Sequence, residues 1–231
     1  MTAATDATAT VEAICSHWKI RLNDLPLRRM PIEIPNATRA DLATFLAQQG
    51  FSVGAEIGVQ HGEYSEMLCK ANPALRLKGI DPYSVRADYD DGRHTQADFD
   101  AFRTDAVARL RPYGVDLIRE TSMSALETVL DVSLDFVYVD GHHNFQNVTN
   151  DLCEWTRKVR IGGIIAGDDY YKTKSHADGL HVQHVVDAFT DAYGIRPWFV
   201  LGRKVSAPGE TRDRHRSFFW VRDASPLDRG H

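Results

Sequence analysis

Short apolar runs recur along most of this chain, each ending on an acidic or glycine-bearing turn and each followed by a segment of helical period. Phe51–Val59, Arg76–Ile80, Gly114–Arg119, Leu134–Val139 and Ile161–Ala166 read as strands of this kind. Helices are expected over Gly62–Ala71, Gln96–Leu110, Ser122–Val129, Gln146–Val159 and Val182–Ala192. Strands that are near-continuously apolar, rather than alternating, are buried on both faces, and helices between them imply crossover connections. The expectation is therefore an α/β fold with a mainly parallel sheet and helices on both faces. The last two strands, Trp198–Leu201 and Ser217–Val221, have no helix between them and should form an antiparallel hairpin at one edge.

Upstream of this alternation the pattern changes. Residues 1–10 are small and polar and are expected to be disordered. Val11, Ile14, Cys15 and Trp18 have helical period, predicting an amphipathic helix from Val11 to about Leu22. Pro26, Pro31 and Pro35 then impose an extended connection. Asn36 and Thr38 can cap a helix from Arg39 to Gln48, closed by Gly50. The division that follows is a helical extension over 1–45 and one domain over 46–231, which suits a chain of 231 residues.

Bulk properties exclude several classes. A net charge of −5 leaves no basic footprint for nucleic acid or an anionic membrane. No apolar run approaches the roughly 18 residues of a membrane span, and the N-terminus lacks the pattern of a signal peptide. Cys15, Cys69 and Cys153 are too few and too scattered for a disulfide framework or a zinc site, so a cytoplasmic location is expected.

In a sheet of this type ligands gather beyond the carboxyl ends of the strands. The first such end is Glu56-Ile57-Gly58-Val59-Gln60-His61-Gly62. Gly58 and Gly62 allow a tight turn and close backbone approach, but the spacing is not that of a dinucleotide fingerprint. An acid two residues before the first glycine would repel a pyrophosphate and suit a cation, such as the ammonium and sulfonium of S-adenosylmethionine. A plain strand-to-helix turn is the alternative. Asp81, about 20 residues further on, can accept ribose hydroxyls or can be a turn aspartate before Pro82.

Two further strand ends carry acids: Val139-Asp140-Gly141-His142-His143 and Gly167-Asp168-Asp169-Tyr170. If these strands are neighbours, Asp140, Asp168 and Asp169 converge, and like charges that close need a cation. Oxygen donors favour Mg²⁺ or Mn²⁺. The alternative is that Asp168 and Asp169 cap a loop and face water. His142 and His143 offer an imidazole that could remove a hydroxyl proton. His176, His181 and His184 lack an accompanying cysteine and are read as part of a substrate-facing flap rather than a zinc site.

The order Glu56-x-Gly58-x-x-x-Gly62, Asp81, Asp140-Gly141-x-His143, then Gly162-Gly163-x4-Asp168-Asp169-Tyr170 resembles the class I methyltransferases. It is similar in particular to metal-dependent sugar O-methyltransferases of macrolide and aminocoumarin tailoring and of bacterial polysaccharides. The resemblance covers about residues 50–222 and implies a Rossmann-like sheet binding S-adenosylmethionine. It implies that Glu56, Gly58 and Gly62 frame the methionine end, that Asp81 holds the ribose, and that Thr121 and Ser122 lie near the adenine. Asp140 would also border the donor, and Asp140, Asp168 and Asp169 match metal ligands for Mg²⁺ or Mn²⁺. His143 matches a histidine base in some members and His142 an aspartate base in others. Gln60 stands where many class I enzymes have a third glycine. The implied acceptor is a sugar hydroxyl in a small molecule or oligosaccharide.

Competing readings keep the fold and change its use. A catechol-type acceptor is disfavoured by the Asp168-Asp169 pair, because such enzymes usually set an asparagine there. A non-catalytic binding module would not need the acidic cluster. A dehydrogenase lacks its fingerprint. The loop from Tyr83 to Phe102 is expected to close over the donor, and Trp18 and Ile20 could supply a homodimer contact.

Overall fold

The computed structural model describes residues 3–85, 94–172 and 179–224. Its strands are β1 (Ile32–Ile34), β2 (Val53–Ile57), β3 (Arg76–Ile80), β4 (Asp116–Ile118), β5 (Leu134–Val139), β6 (Val159–Gly167), β7 (Trp198–Leu201) and β8 (Phe218–Val221). The α-helices are α1 (Ala3–His17), α2 (Arg39–Gln48), α3 (Glu63–Ala71), α4 (Gln96–Leu110), α5 (Ser122–Ala125), α6 (Phe145–Lys158) and α7 (Val182–Ala192). All eight strands form one sheet in the order β1-β7-β8-β6-β5-β2-β3-β4. Every pairing is parallel except those of β8, which runs antiparallel to both β6 and β7.

Alternate residues of the strands feed two separate cores. Phe136, Tyr138, Ile164, Ala166, Phe199 and Phe219 pack on the side of α1, α2 and α3. Val137, Val139, Ile165, Val200, Phe218 and Trp220 pack on the side of α6 and α7. The near-continuous apolar runs follow from this, since both faces of the sheet are covered. From β2 the chain winds outward through β3 and β4, then returns to place β5 on the other side of β2. The order reverses between β2 and β5, where a crevice opens beyond the strand ends.

Three expectations change. Residues 3–10 are helical, and α1 ends at His17 rather than near Leu22. Alanine is the strongest helix former, and Ala7 is buried while Thr10 Oγ1 donates 2.8 Å to the Gly162 carbonyl, so docking on β6 fixes the helix. The stretch read as an extended connection contains β1, which pairs parallel with β7 and forms the sheet edge. Prolines at 31 and 35 confine it to three residues, and an edge strand tolerates such flanks. The β7–β8 pair is antiparallel as expected, but β8 is interior and β1 covers β7. Trp18 packs on the rings of Phe45 and Phe219 at 4.9 and 5.4 Å, and Ile20 joins the same core.

Candidate active site

Beyond β2 the backbone folds back at Gly58, whose φ of +86° is a conformation side chains rarely adopt. A Cβ there would lie 2.1 Å from the carbonyl oxygen of Asp140. The strand tips are locked together: Gly58 N donates 2.8 Å to Ile80 O, and Asp140 N donates 2.8 Å to Ile57 O. Gln60, between the two glycines of the turn, also has positive φ, 47°.

Asp81 closes this turn. Its Oδ2 accepts from Val59 N at 3.1 Å and Gln60 N at 2.9 Å, and its Oδ1 accepts from Tyr83 N at 2.9 Å. The aspartate is thus a turn-holding group, and the lone pairs left over are what a ribose could use. Glu56 is 2% exposed and accepts a hydrogen bond from Ser65 Oγ. Burial pushes its carboxyl up to about 8, against the Ser65 hydrogen bond and with help from Asp140. Gly62 caps α3, and Thr121 Oγ1 caps α5 by accepting from Ser124 N at 3.1 Å; Ser122 follows it on the cavity wall.

Across the order reversal, the tips of β5 and β6 bring Asp140, His143 and Asp169 together, with one donor atom from each within 4.8 Å of the others. His143 Nε2 lies 2.9 Å from Asp169 Oδ2 and 3.6 Å from Asp140 Oδ1. His215, from the β7–β8 connection, abuts the other oxygen of Asp169. These contacts are close yet lack hydrogen-bond alignment, leaving His143 Nε2 and Asp169 Oδ1 as buried atoms without a hydrogen-bond partner. The two carboxylates offer oxygen donors that fit a divalent cation, with the imidazole beside them.

Asp168 is turned elsewhere. Its Oδ2 faces Arg39 Nη1 at 3.5 Å, and its Oδ1 accepts from Ser217 Oγ at 3.2 Å. Asp169 swings the opposite way because its own φ is 59°, so neighbouring residues point to different partners.

The charges respond to this crowding. Burial opposes a charged His143, but Asp140 and Asp169 outweigh it and push the imidazole up to about 10. Burial, with Asp140 and Asp169 adding to it, pushes Asp168 up to about 7. Asp169 is held low despite burial, by His143 and His215. His142 is engaged by Asn144, whose backbone N lies 3.3 Å from His142 Nδ1.

Glu56, Gly58, Asp81, Thr121, Ser122, Asp140, His142, His143, Asp168, Asp169 and His215 border one cavity of about 820 Å³, whereas Gly62, set back at the start of α3, is not on its wall. Three members of its wall had no signal of their own in the sequence: Arg39 from α2, and Asp213 and His215 from the β7–β8 connection. Asp213 accepts from Arg39 N at 2.7 Å, tying these distant segments together. Of the expected lid, Tyr83 is buried with its hydroxyl on Gln60 O, and Phe99 and Phe102 border the cavity; residues 86–93 lie outside the described residues. So does His176 of the expected flap, whereas His181 Nδ1 accepts from Phe145 N at 3.1 Å. No helix among the described residues is long and apolar enough to cross a membrane.

Comparison with known proteins places this geometry. A family model described as a methyltransferase domain matches residues 55–170. The uncharacterized protein R132 of Acanthamoeba polyphaga mimivirus is 28% identical over 115 residues, 50% of this chain and 50% of that protein. The match thus spans about half the length of that curated relative. Among solved structures, the O-methyltransferase TomG of Streptomyces achromogenes, involved in tomaymycin synthesis and bound to SAM, superposes with a TM-score of 0.55 at 17% identity. That superposition covers 92% of this chain and 89% of TomG. An O-methyltransferase of Bacillus cereus bound to SAH gives 0.56 at 15% identity, covering 93% of this chain and 91% of that one. At such identities the likeness is one of fold.

Proposed function

This chain belongs to the methyltransferase-domain family, and on that premise we propose that it transfers a methyl group from S-adenosylmethionine to a hydroxyl of a sugar or saccharide acceptor, assisted by a divalent metal and a histidine base. The observation that carries the reading is that the Glu56–Gly58 turn and the Asp140–His143–Asp169 cluster open on one cavity, on either side of the strand-order reversal. The O-methyltransferases bound to SAM or SAH that share the fold support the donor and the oxygen acceptor.

Glu56 would face the ammonium of the donor, Asp81 and the turn it holds would support the ribose, and Thr121 and Ser122 would border the adenine. Asp140 and Asp169, with Asp168 beside them, would hold Mg²⁺ or Mn²⁺, and His143 would stand next to the ion without ligating it. An ion there would supply Lewis acidity to the acceptor hydroxyl and would offset the carboxylate charge that raises the His143 imidazole. His143, or His142 next to it, then takes the hydroxyl proton as the oxygen attacks the methyl carbon in line. The C–S bond breaks with its electrons going to sulfur, releasing S-adenosylhomocysteine. The wall beyond Asp169, made by Arg39, Asp213, Arg214 and His215, is polar and charged, which favours a hydroxyl-rich acceptor over a flat phenol.

The experiment that tests this is transfer of labelled methyl from S-adenosylmethionine to a panel of saccharides, with and without EDTA. EDTA should cut the rate at least about a hundredfold, and Mg²⁺ or Mn²⁺ should restore it. A rate indifferent to EDTA removes the ion; no methylation of any saccharide, with phenols methylated instead, removes the sugar acceptor.

Glu56 yields a second expectation. At pH 7 a carboxyl pushed up to about 8 is mostly protonated, and an ammonium docked beside it favours the ionised form. Binding of S-adenosylhomocysteine at pH 7 should therefore release a proton, read as a dependence of calorimetric enthalpy on buffer. The release should vanish above pH 9 and in Glu56→Gln. Equal enthalpies in all buffers at pH 7 would remove this role.

A further inference from the structure

In a chain of net charge −5, residues 203–216, within the connection from β7 to β8, carry five arginines and lysines against two acids. Most of these cations have structural partners. Arg203 Nη1 lies 3.2 Å from Glu210 Oε1, and Arg216 Nη1 donates 2.6 Å to Glu33 Oε1. Arg212 Nη1 donates to the carbonyls of Arg203 and Lys204 at 2.9 and 3.2 Å, bracing the loop against itself. Arg214 differs: it is exposed, it borders the cavity, and no acid pairs with it among the described residues. Its backbone is nevertheless pinned from both sides, by Asp213 on Arg39 N and by His215 against Asp169. Further back, Lys204 N donates 2.9 Å to Glu33 Oε1 and Thr211 N donates 3.1 Å to Asn36 Oδ1. The loop is thus fixed on β1 and on the turn before α2. A solvated arginine needs none of this anchoring, whereas one that must meet a ligand gains from it, because ordering beforehand lowers the cost of binding.

Position in the cavity says which molecule would meet it. Glu56 and Asp81 lie on the donor side of the strand-order reversal, whereas residues 213–215 stand on the far side, beyond Asp169. An acceptor whose hydroxyl reaches the Asp140–Asp169 cluster presents its remaining substituents to this rim. The acids beside Arg214 in the wall are engaged elsewhere, Asp213 with Arg39 N and Asp169 with His143 and His215, so no carboxylate of the rim serves as its counter-ion. A planar guanidinium matches a carboxylate or phosphate with two parallel charged hydrogen bonds, whereas a neutral hydroxyl uses neither its charge nor its fork. We propose that Arg214 binds an oxyanion carried by the acceptor, a carboxylate or a phosphate, so that the preferred substrates are acidic saccharides. This deepens the saccharide reading given above and rests on it. Arg214 is a binding and specificity residue; it touches no reacting atom.

The test measures transfer of labelled methyl to methyl glucuronoside, a glucose phosphate and methyl glucoside, which carry a carboxylate, a phosphate and no charge. For the better of the two acidic acceptors kcat/KM should exceed that for methyl glucoside by about tenfold or more, and which of the two it is separates carboxylate from phosphate. Arg214→Gln should lower that ratio about tenfold, mainly through KM, because the contact is made equally in the ground and transition states. Arg214→Lys, which keeps the charge and loses the fork, should fall between the two. A wild-type ratio near one, or a ratio unchanged in Arg214→Gln, overturns the proposal while leaving methyl transfer to saccharides intact. Methylation of phenols and of no saccharide overturns both. Should none of the three acceptors turn over, the Arg214 Nε–H resonance of the wild type saturated with S-adenosylhomocysteine and Mg²⁺ decides. A shift with an acidic compound and none with methyl glucoside upholds the contact; equal shifts, or none at all, overturn it.

Discussion

Asp169→Asn should lower methyl transfer at least about a hundredfold and weaken Mn²⁺ binding by a similar factor, with little change in fold. Removing even an outer partner of a metal site typically costs about 10- to 100-fold, and Asp169 is central to the cluster. Its two oxygens face His143 Nε2 and His215 Nδ1, and it is the acid of the group held below the usual carboxylate range. Asparagine is the informative replacement because it tolerates the left-handed backbone at φ 59°, where alanine would add strain of its own. Two effects then oppose each other, and the first dominates. The site loses a negative charge that a cation needs, whereas His143 loses one of the carboxylates that keep it charged. Mn²⁺ titration followed by electron paramagnetic resonance reads the first, and single-turnover methyl transfer reads the balance of the two. Wild-type values in both would remove the cluster from the mechanism.

Gly58→Ala should abolish detectable S-adenosylhomocysteine binding and destabilise the fold by at least about 2 kcal/mol, from strain and overpacking together. The new methyl would meet Asp140 O at 2.1 Å and Asp140 C at 2.5 Å, both backbone atoms that cannot rotate away. The same substitution would also have to hold φ at +86°. Gln60→Gly provides the contrast, because residue 60 already adopts positive φ with a side chain present and glycine takes that conformation without strain. Urea midpoints and calorimetric titration should therefore separate the two variants cleanly. A Gly58→Ala protein with the wild-type midpoint would mean that the β2 turn is not held against β5.

The parts of this molecule that could be read from sequence are those in which local pattern and burial agree. Leu134–Val139 is apolar at every position but Asp135 because both faces of β5 are covered, and β7 is apolar throughout for the same reason. The first ten residues misled because alanines beside threonines resemble a solvated tail until a docking partner, here Gly162, is known. Three residues of β1 between prolines carry too little pattern to announce a strand, and their pairing partner lies far along the chain. At the site, the acids themselves were legible, but not their directions. The φ of Asp169 sends it toward His143 while Asp168 goes to Arg39, and nothing in the letters Asp-Asp encodes that divergence. Asp81 was legible as a candidate for ribose, and its three backbone hydrogen bonds depend on where the glycine turn comes to rest. Arg39 and His215 reach the cavity only through folding of distant segments.

Ile57 and Val139 are register partners in adjacent parallel strands, and the residues that follow them, Gly58 and Asp140, touch through their main chains. For a reaction between two bound molecules this means that the distance separating their cradles is set by a hydrogen-bonded ladder and not by mobile loops. Errors of about 1 Å in such alignment can cost a hundredfold in rate. The sheet therefore serves as a gauge block: loops around its rim are free to diverge in pursuit of different acceptors, while the spacing across which the methyl group must travel stays constant.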